Sequence, residues 1–187
     1  MPDLLVSFFL LYNMFSAIKI EKSSSLLDLV STSCNIDNVE VEALSFSFID
    51  FSNISFVASS FFNVEFVCCK FEKTRVRQSF FEFCKFRECS FSSSNIQFSS
   101  FAGSSFNNAN FRGSDILNSN FTGVTITDAD FSDSDLSLSH FFAGVLKNIK
   151  IENCNLNGTL FIKNITQNLS FRQSNKPYAT FDNIRHI

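Results

Sequence analysis

The hydrophobic residues of this chain recur at every fifth position over most of its length. From Ile36 to Phe161, all 26 positions of this series are apolar, and 16 of them are Phe. No insertion shifts the register between these two residues. Neither the 3.6-residue period of a helix nor the two-residue period of a strand explains a spacing of five. We therefore predict a coil in which each five-residue unit places one large central side chain inside.

The positions beside each central residue are restricted as well. From Ser59 to Gly144, the position two residues before each centre holds only Ser, Ala, Cys, Thr, Val or Gly. Side chains two residues apart lie on the same side of an extended segment, so this small residue is predicted to point inward too. Asn, Asp and Gly often fill the other positions and favour turns. Five residues therefore form one wall and one corner of the coil.

A second period, of 20 residues, sets the number of walls. Between Phe46 and Phe141 only five centres are not Phe, and four of these five are spaced by 20. The five are Val76, Ile96, Ile116, Ile126 and Leu136. One wall in four therefore carries an aliphatic ladder, while the other three carry mainly Phe. This pattern indicates an all-β coil with four sides.

The unit of a small residue, Asn or Asp, and then Phe resembles the repeat of the pentapeptide repeat family in its Phe-centred form. Residues 109–113 and 129–133 show the unit clearly, and the resemblance covers residues 36–161. It implies a right-handed quadrilateral β-helix with four pentapeptides per coil. The 26 units then correspond to about 6–7 coils.

The two ends of the chain depart from the repeat and divide it into three parts. Residues 1–35 are predicted to be an N-terminal cap or leader segment, and residues 36–161 the pentapeptide repeat β-helix. Residues 162–187 are predicted to be an irregular last coil or C-terminal cap. Such caps are needed because the ends of a solenoid expose core residues and unpaired strand edges.

Residues 4–15 are almost wholly apolar and admit three interpretations. We expect a hydrophobic cap, with an export signal and a membrane-surface anchor as alternatives. Asp3 stands where a signal peptide carries basic residues, and the run is shorter than the roughly 20 residues of a transmembrane helix. Residues 21–35 are predicted to be a polar, irregular run into the coil.

The sequence offers no catalytic, cofactor-binding or metal-binding constellation. Six Cys and two His are present, without the spacing of a metal site or a nucleophile with its base. Five cysteines are predicted to occupy the small inward position as reduced, structural thiols, which favours a reducing, cytoplasmic compartment. These five are Cys34, Cys69, Cys84, Cys89 and Cys154. Cys69 and Cys89 are 20 residues apart, so they are expected to stack near disulfide range.

Charge is distributed unevenly along the coil, although the net charge is only -3. Residues 70–89 are basic, whereas an acidic group follows further along the chain. The acidic group consists of Asp115, Asp128, Asp130, Asp133 and Asp135. It is a candidate interaction surface, and the alternative is that Asp simply fills solvated corners.

Six Phe residues lie outside the five-residue series and are predicted to point outward. They are Phe48, Phe62, Phe80, Phe83, Phe98 and Phe142. Exposed aromatic side chains are enriched at protein interfaces. We predict a partner surface around Phe80, Phe83 and Phe98, with Phe62 and Phe142 as further candidates. Corner packing is the alternative explanation.

These observations favour a non-enzymatic scaffold or protein-interaction module with an unidentified protein partner. The resemblance suggests one alternative, since pentapeptide proteins that confer quinolone resistance mimic DNA and bind DNA gyrase or topoisomerase. The basic residues at 70–89 argue against such mimicry, and no direct binding of nucleic acid is expected. A second alternative is a secreted or membrane-associated effector in which residues 1–20 are the targeting segment.

A homodimer through an end cap is also compatible with the sequence. Relatives that dimerise do so through the C-terminal end of the coil. The tail of this chain carries apolar residues that allow the same arrangement. These residues are Ile162, Ile165, Leu169 and Ile184.

Overall fold

Parallel pairing between strands about 20 residues apart organises the described part of the chain. The structure, a computed structural model, describes residues 17–187. It is a β-solenoid of about eight turns, in which all 26 central residues from Ile36 to Phe161 are buried. The predicted four-sided, all-β coil is therefore confirmed. The turns outnumber the 6–7 coils of the repeat because strand pairing extends beyond residues 36–161 at both ends.

Four walls surround the lumen, and they are numbered in their order along the coil from Asn35 onward. Wall 1 consists of β2 (Asn35–Asp37), β5 (Ser55–Val57), β8 (Arg75–Arg77), β11 (Asn95–Gln97) and β13 (Asp115–Leu117). Wall 2 consists of β1 (Ile18–Ile20), β3 (Val39–Glu42), β6 (Ser60–Phe62), β9 (Phe80–Glu82), β15 (His140–Phe142), β17 (Leu160–Ile162) and β19 (Thr180–Asp182). Single bridges through Ser100 and Asn120 join β9 to β15.

The other two walls complete each coil. Wall 3 consists of β4 (Ser45–Ser47), β7 (Glu65–Val67), β10 (Lys85–Arg87), β12 (Ser105–Asn107), β14 (Thr125–Thr127), β16 (Val145–Lys150), β18 (Ile165–Ser170) and β20 (Arg185–His186). Wall 4 is held by bridges that join Asp50, Lys70, Ser90, Asn110, Asp130 and Lys150 in turn. The described residues also include the helix α1 (Ser23–Thr32) and a 3-10 helix (Lys176–Tyr178).

Stacked Phe rings fill the lumen. Rings 20 residues apart lie face to face, as for Phe66, Phe86 and Phe106, whose successive centroids are 5.1 and 4.7 Å apart. Rings on adjacent walls meet edge to face, as for Phe86 and Phe91 at 5.3 Å. Both arrangements are favourable for aromatic quadrupoles. Wall 1 supplies the aliphatic ladder that the period of 20 predicts, including the fully buried Ile96.

The corners explain the turn-forming residues of the repeat. The residue two positions after a centre has a φ between about 50° and 71° at almost every corner, whether it is Gly or not. Gly adopts this left-handed conformation freely, and Asn and Asp adopt it more readily than other residues. The repeat therefore selects these three residue types at the corner for backbone reasons.

The small inward residues form ladders of hydrogen bonds along the coil axis. The backbone N–H of Ser79 donates to the Ser99 hydroxyl (3.2 Å), and the N–H of Ser119 donates to the Ser139 hydroxyl (3.0 Å). The hydroxyl groups in turn donate to carbonyl groups, as Ser139 does to Ile116 at 2.8 Å. Ser is therefore selected at this position because it satisfies buried backbone groups as well as being small.

Replacing Ser114 with Ala is expected to lower the free energy of unfolding by about 1–3 kcal/mol. The Ser114 hydroxyl donates to the Phe91 carbonyl (2.6 Å) and accepts the N–H of Ser94 (3.2 Å), so Ala removes two buried hydrogen bonds and leaves that N–H and that carbonyl only their contact with each other, at 3.2 Å. Urea unfolding measures the change. Ser114→Cys should lower the free energy of unfolding by less, since the thiols of Cys84 and Cys89 donate to carbonyl groups from the same inward position of their own repeats. Equal losses in the two variants would contradict this explanation.

The N-terminal end is covered by α1, which is a correction to the irregular run predicted for residues 21–35. Leu26 of this helix is fully buried against the first coil. Cys34 is exposed, which corrects the prediction that its side chain points inward. The segment that precedes Cys34 is a helix rather than a wall of the coil, so the five-residue geometry does not yet apply there. The predicted cap at residues 4–15 lies outside the described residues.

The C-terminal end of the lumen is open to solvent. Strands β18, β19 and β20 keep the 20-residue register, and Phe171 and Phe181 are half-buried in the last coil. A cavity of about 390 Å³ lies at this end. The Lys176 ammonium lies over both rings, 5.1 Å from the centroid of Phe171 and 5.0 Å from that of Phe181. Within residues 17–187, no helix is long and apolar enough to cross a membrane.

Candidate functional site

Wall 2 and its two corners carry most of the large hydrophobic side chains that are exposed. Among the described residues there are ten such side chains, and eight of them belong to this wall or its corners. The eight are Ile18, Phe62, Phe80, Phe83, Phe98, Leu138, Phe142 and Tyr178. The structure therefore places all five Phe residues of the predicted partner surface on wall 2 or at its corners. Phe98 lies at the corner with wall 1, and Phe83 lies at the opposite corner, with wall 3. Phe48 is exposed too, but it lies on the corner between walls 3 and 4.

An aromatic pair forms the most ordered part of this surface. The rings of Phe62 and Phe83 meet edge to face at 5.5 Å, although the two residues belong to neighbouring coils. Gly103 makes room for this pair, because a Cβ atom there would come within 2.6 Å of the Phe83 ring. Gly123 lies one coil further, where a Cβ atom would approach only the Gly103 backbone, at 3.9 Å. The corner beyond Phe83 is therefore a shallow hollow.

Cationic side chains lie over two other rings of the surface. The Arg77 guanidinium lies 6.0 Å from the centroid of the Phe98 ring, and the Lys163 ammonium lies 5.5 Å from that of Phe142. Cation–π contacts of this kind hold an exposed ring in place at modest energy. These two rings are therefore positioned by contacts within the chain.

Backbone conformation does not account for Phe at two of these positions. Phe83 and Phe98 are corner residues with φ of 53° and 51°, where Gly, Asn and Asp are the residues that the backbone favours. A bulky side chain in this region of φ costs free energy. Both rings are also about half exposed, so burial does not repay the cost. Phe48 shares this conformation and is still more exposed, so neither backbone preference nor burial accounts for Phe at these corners.

The outward side of wall 2 is nearly free of charge. Between Ser60 and Ile162, Glu82 is the one formally charged residue among its outward-pointing strand and bridge residues. Wall 1 carries Arg75, Arg77 and two Asp over the same coils, and walls 3 and 4 are charged as well. Aromatic enrichment combined with depletion of charge is typical of the core of a protein interface.

The structure does not bring the acidic residues onto this surface. Asp115 and Asp135 stack on wall 1, as predicted, and Asp130 lies on wall 4. Asp128 and Asp133 occupy two different corners. The acidic group is therefore spread over walls 1 and 4 and the two corners of wall 4.

Asn residues one coil further provide a structural explanation for three of these carboxylates. Asn148 donates to Asp128 at 2.8 Å, Asn153 to Asp133 at 2.8 Å, and Asn155 to Asp135 at 3.0 Å. Arg112 also pairs with Asp133 at 2.6 Å. The 20-residue offset between Asp and Asn is the sequence signal from which these pairs could have been found. The suggestion that the acidic group serves gyrase mimicry stays a prediction.

The thiols of Cys69 and Cys89 contact each other one coil apart, and the hydrogen bond with Cys89 lowers the pKa of the Cys69 thiol. Burial raises the pKa of the Cys84 thiol to about 12, and burial also raises the pKa of Cys154. All six cysteines are free, and no group of three or more His, Cys, Asp or Glu side chains in residues 17–187 could hold a metal ion. His186 contacts the Thr166 hydroxyl at 2.7 Å at the open C-terminal end, far along the chain from the aromatic surface.

Comparison with known proteins agrees with the repeat and the fold. A family model of pentapeptide repeats matches residues 104–141 with eight copies. The chain is similar to the pentapeptide repeat protein Rfr23 from the cyanobacterium Cyanothece 51142, with 11% identity over 63% of this chain and 94% of that chain and a TM-score of 0.60. No curated protein matches the sequence.

A second solved structure that matches the chain is a trypsin-treated variant of QnrB1, a plasmid-mediated fluoroquinolone resistance protein. It has 19% identity over 78% of this chain and 83% of that chain, with a TM-score of 0.49. At 11% identity, the likeness to Rfr23 indicates a common fold and nothing about partners. The chain is therefore similar to pentapeptide repeat proteins in its repeat over residues 104–141 and in its four-walled solenoid.

Proposed function

We propose that this protein is a non-enzymatic interaction module whose wall 2 docks a protein partner. The observation that carries the proposal is the concentration of exposed aromatic side chains on one nearly uncharged wall. Monomeric proteins rarely leave large contiguous apolar patches open to water, and such patches usually mark interaction sites. Aromatic anchors also contribute a large share of the binding energy at interfaces.

The solenoid supports this role because it holds the surface rigid. Phe62 and Phe80 are anchored by backbone pairing to the coils on both sides, and their inward neighbours are fully packed in the lumen. A partner that binds such a wall spends little free energy on ordering the protein.

Catalysis is not part of the proposed function, for chemical reasons. Among the described residues the hydroxyl that contacts an imidazole is that of Thr166, beside His186 at the open end of the lumen, whereas hydroxyl groups on the walls, such as that of Ser100, contact carboxylates such as Glu82. Structural thiols with raised pKa values, such as Cys84, are poor nucleophiles at neutral pH. A turnover that survives purification and is abolished by one substitution in wall 2 would contradict the proposal.

A comparison of two Phe→Asp variants tests where the partner binds. With Phe83→Asp as bait, affinity capture is expected to recover at least about tenfold less of a specific partner than with the wild type, because the substitution places a charge in an apolar interface. Phe48→Asp is the matched control, since Phe48 is 78% exposed at a corner of the same φ but lies away from wall 2. Quantitative mass spectrometry measures both yields. Equal recovery with the two baits would place the partner elsewhere.

A further inference from the structure

We propose that the occupant of wall 2 is a second copy of this chain, packed wall to wall with its coil axis antiparallel. The inference rests on the proposed function, because it uses the same aromatic surface and names the partner. It places a two-fold axis parallel to the strands at the coil of Ser100 and Ala102. We call residues that are a multiple of 20 apart, and therefore stacked on one another, a column. The axis lies midway between Phe62 and Phe142, which belong to the same column and are four coils apart.

Charge favours self-association through wall 2 over the other walls. A two-fold interface buries the same surface of both copies, so every charged side chain on that surface loses its hydration twice. Wall 2 keeps this cost low, since Glu82 is its one outward charge between Ser60 and Ile162. Wall 1 would instead bury Arg75, Arg77 and two Asp of each copy.

The antiparallel arrangement also matches rings with space. Each residue faces the residue of its own column at an equal distance beyond the axis. Phe83 then faces Gly123, where the wall has its hollow, and Phe80 faces Asn120. Phe62 faces Phe142, so the two strand rings at opposite ends of the surface meet each other. The arrangement thus places Phe83 against a small position and Phe62 against another ring.

Residues at the axis and at the ends fit the same arrangement. Phe98 belongs to the coil of the axis, so the Phe98 rings of the two copies meet. Ala102 and Gly103 in the same coil are small enough to let the walls approach. At the ends, Glu42 of one copy comes beside Lys163 of the other, which pairs opposite charges.

The exposed area is sufficient for a weak, specific dimer. The five rings of wall 2 and its corners are between 37% and 54% exposed. With about 200 Å² for a whole aromatic residue, they present about 500 Å² per chain. Two copies would bury about 1,000 Å² through these rings alone, which is the lower limit for a biological interface. The dimer should therefore dissociate on dilution.

Sedimentation equilibrium of the full chain over a range of concentrations tests the inference. The wild-type mass should rise from 21.2 kDa toward twice that value with concentration. Phe98→Asp should raise the dissociation constant at least about tenfold, because it opposes two carboxylates at the axis. Phe48→Asp should behave like the wild type. A monomer at every concentration would overturn the inference, as would a dimer that Phe98→Asp leaves intact.

Crosslinking with a short bismaleimide tests the position of the axis independently. Ala102→Cys should crosslink to itself efficiently, whereas Ser92→Cys on wall 4 should stay at the background that the exposed Cys34 sets in the wild type. Equal crosslinking of the two variants would also overturn the inference. The proposed function fails separately: a monomeric chain that captures another protein through Phe83 keeps the proposed function and loses this inference.

Discussion

Replacing Phe86 with Ala is expected to lower the free energy of unfolding by about 3–5 kcal/mol. Phe86 is fully buried and its ring is stacked between Phe66 at 5.1 Å and Phe106 at 4.7 Å. Its edge also meets Phe91 at 5.3 Å. Ala removes these contacts and leaves a cavity in the middle of the stack, where backbone pairing on both sides prevents the coils from closing over it.

Two further Phe→Ala variants make this a test of position within the stack. Phe181→Ala should cost clearly less, because Phe181 is half-buried at the open end and stacks on one ring of its own column, Phe161 at 5.0 Å. Phe48→Ala should change the free energy of unfolding by less than about 0.5 kcal/mol, since its side chain is exposed. Chemical denaturation of the three variants measures the series. Equal losses for Phe86 and Phe181 would mean that the lumen does not act as a closed core.

The lumen could be predicted from the sequence because its geometry is a matter of spacing. One apolar residue in five fixes the wall and corner, and the aliphatic exceptions, such as Ile96 and Ile116, fix four walls per coil. Each prediction depends only on local chain geometry repeated many times. The helix α1 could not be predicted in this way. Its sequence is short and rich in Ser, and it depends on tertiary burial of Leu26 against the first coil.

The aromatic surface was predictable in part. The exposure of Phe80, Phe83 and Phe98 follows from their positions outside the five-residue series. Their gathering on one wall follows from the period of 20, since they fall on the columns of one wall and its corners. Leu138 and Tyr178 are exposed at the same corner as Phe98, because they follow it by 40 and 80 residues. They were not predicted, since the prediction considered only Phe.

Details that depend on side-chain direction could not be obtained from spacing. Nothing in the sequence shows that the Phe83 ring lies over Gly103, or that Lys176 reaches across the open end of the lumen. These placements result from competition among rotamers, neighbouring rings and solvent. They matter for the proposed function, because the Phe83 ring covers Gly103, whereas a Cβ atom at Gly123, one coil further, would meet only the Gly103 backbone.

Replacing Asn164 with Asp is expected to lower the free energy of unfolding by about 3–5 kcal/mol at neutral pH. Asn164 is fully buried at the small inward position, one coil beyond Gly144. Its amide donates to the Phe141 carbonyl at 2.8 Å, and its carbonyl oxygen accepts the N–H of Gly144 at 2.8 Å. A carboxylate of the same shape keeps the second bond. It cannot donate the first, so it sets two buried oxygens against each other and buries a charge.

The loss caused by Asn164→Asp should depend on pH, which separates a buried charge from a packing defect. When protonated, the introduced carboxyl group can donate to the Phe141 carbonyl again, so the folded state binds its proton more tightly than the unfolded state does. Stability relative to the wild type should therefore fall as pH rises above about 4, the ordinary range for an Asp carboxyl. Asn168→Asp is the matched control, because Asn168 is exposed and donates only to Asn148 at 3.0 Å. Urea unfolding at acidic and neutral pH should show a pH-dependent loss for Asn164→Asp and almost none for Asn168→Asp. A loss that is the same at both pH values would show that shape rather than charge selects Asn at this position.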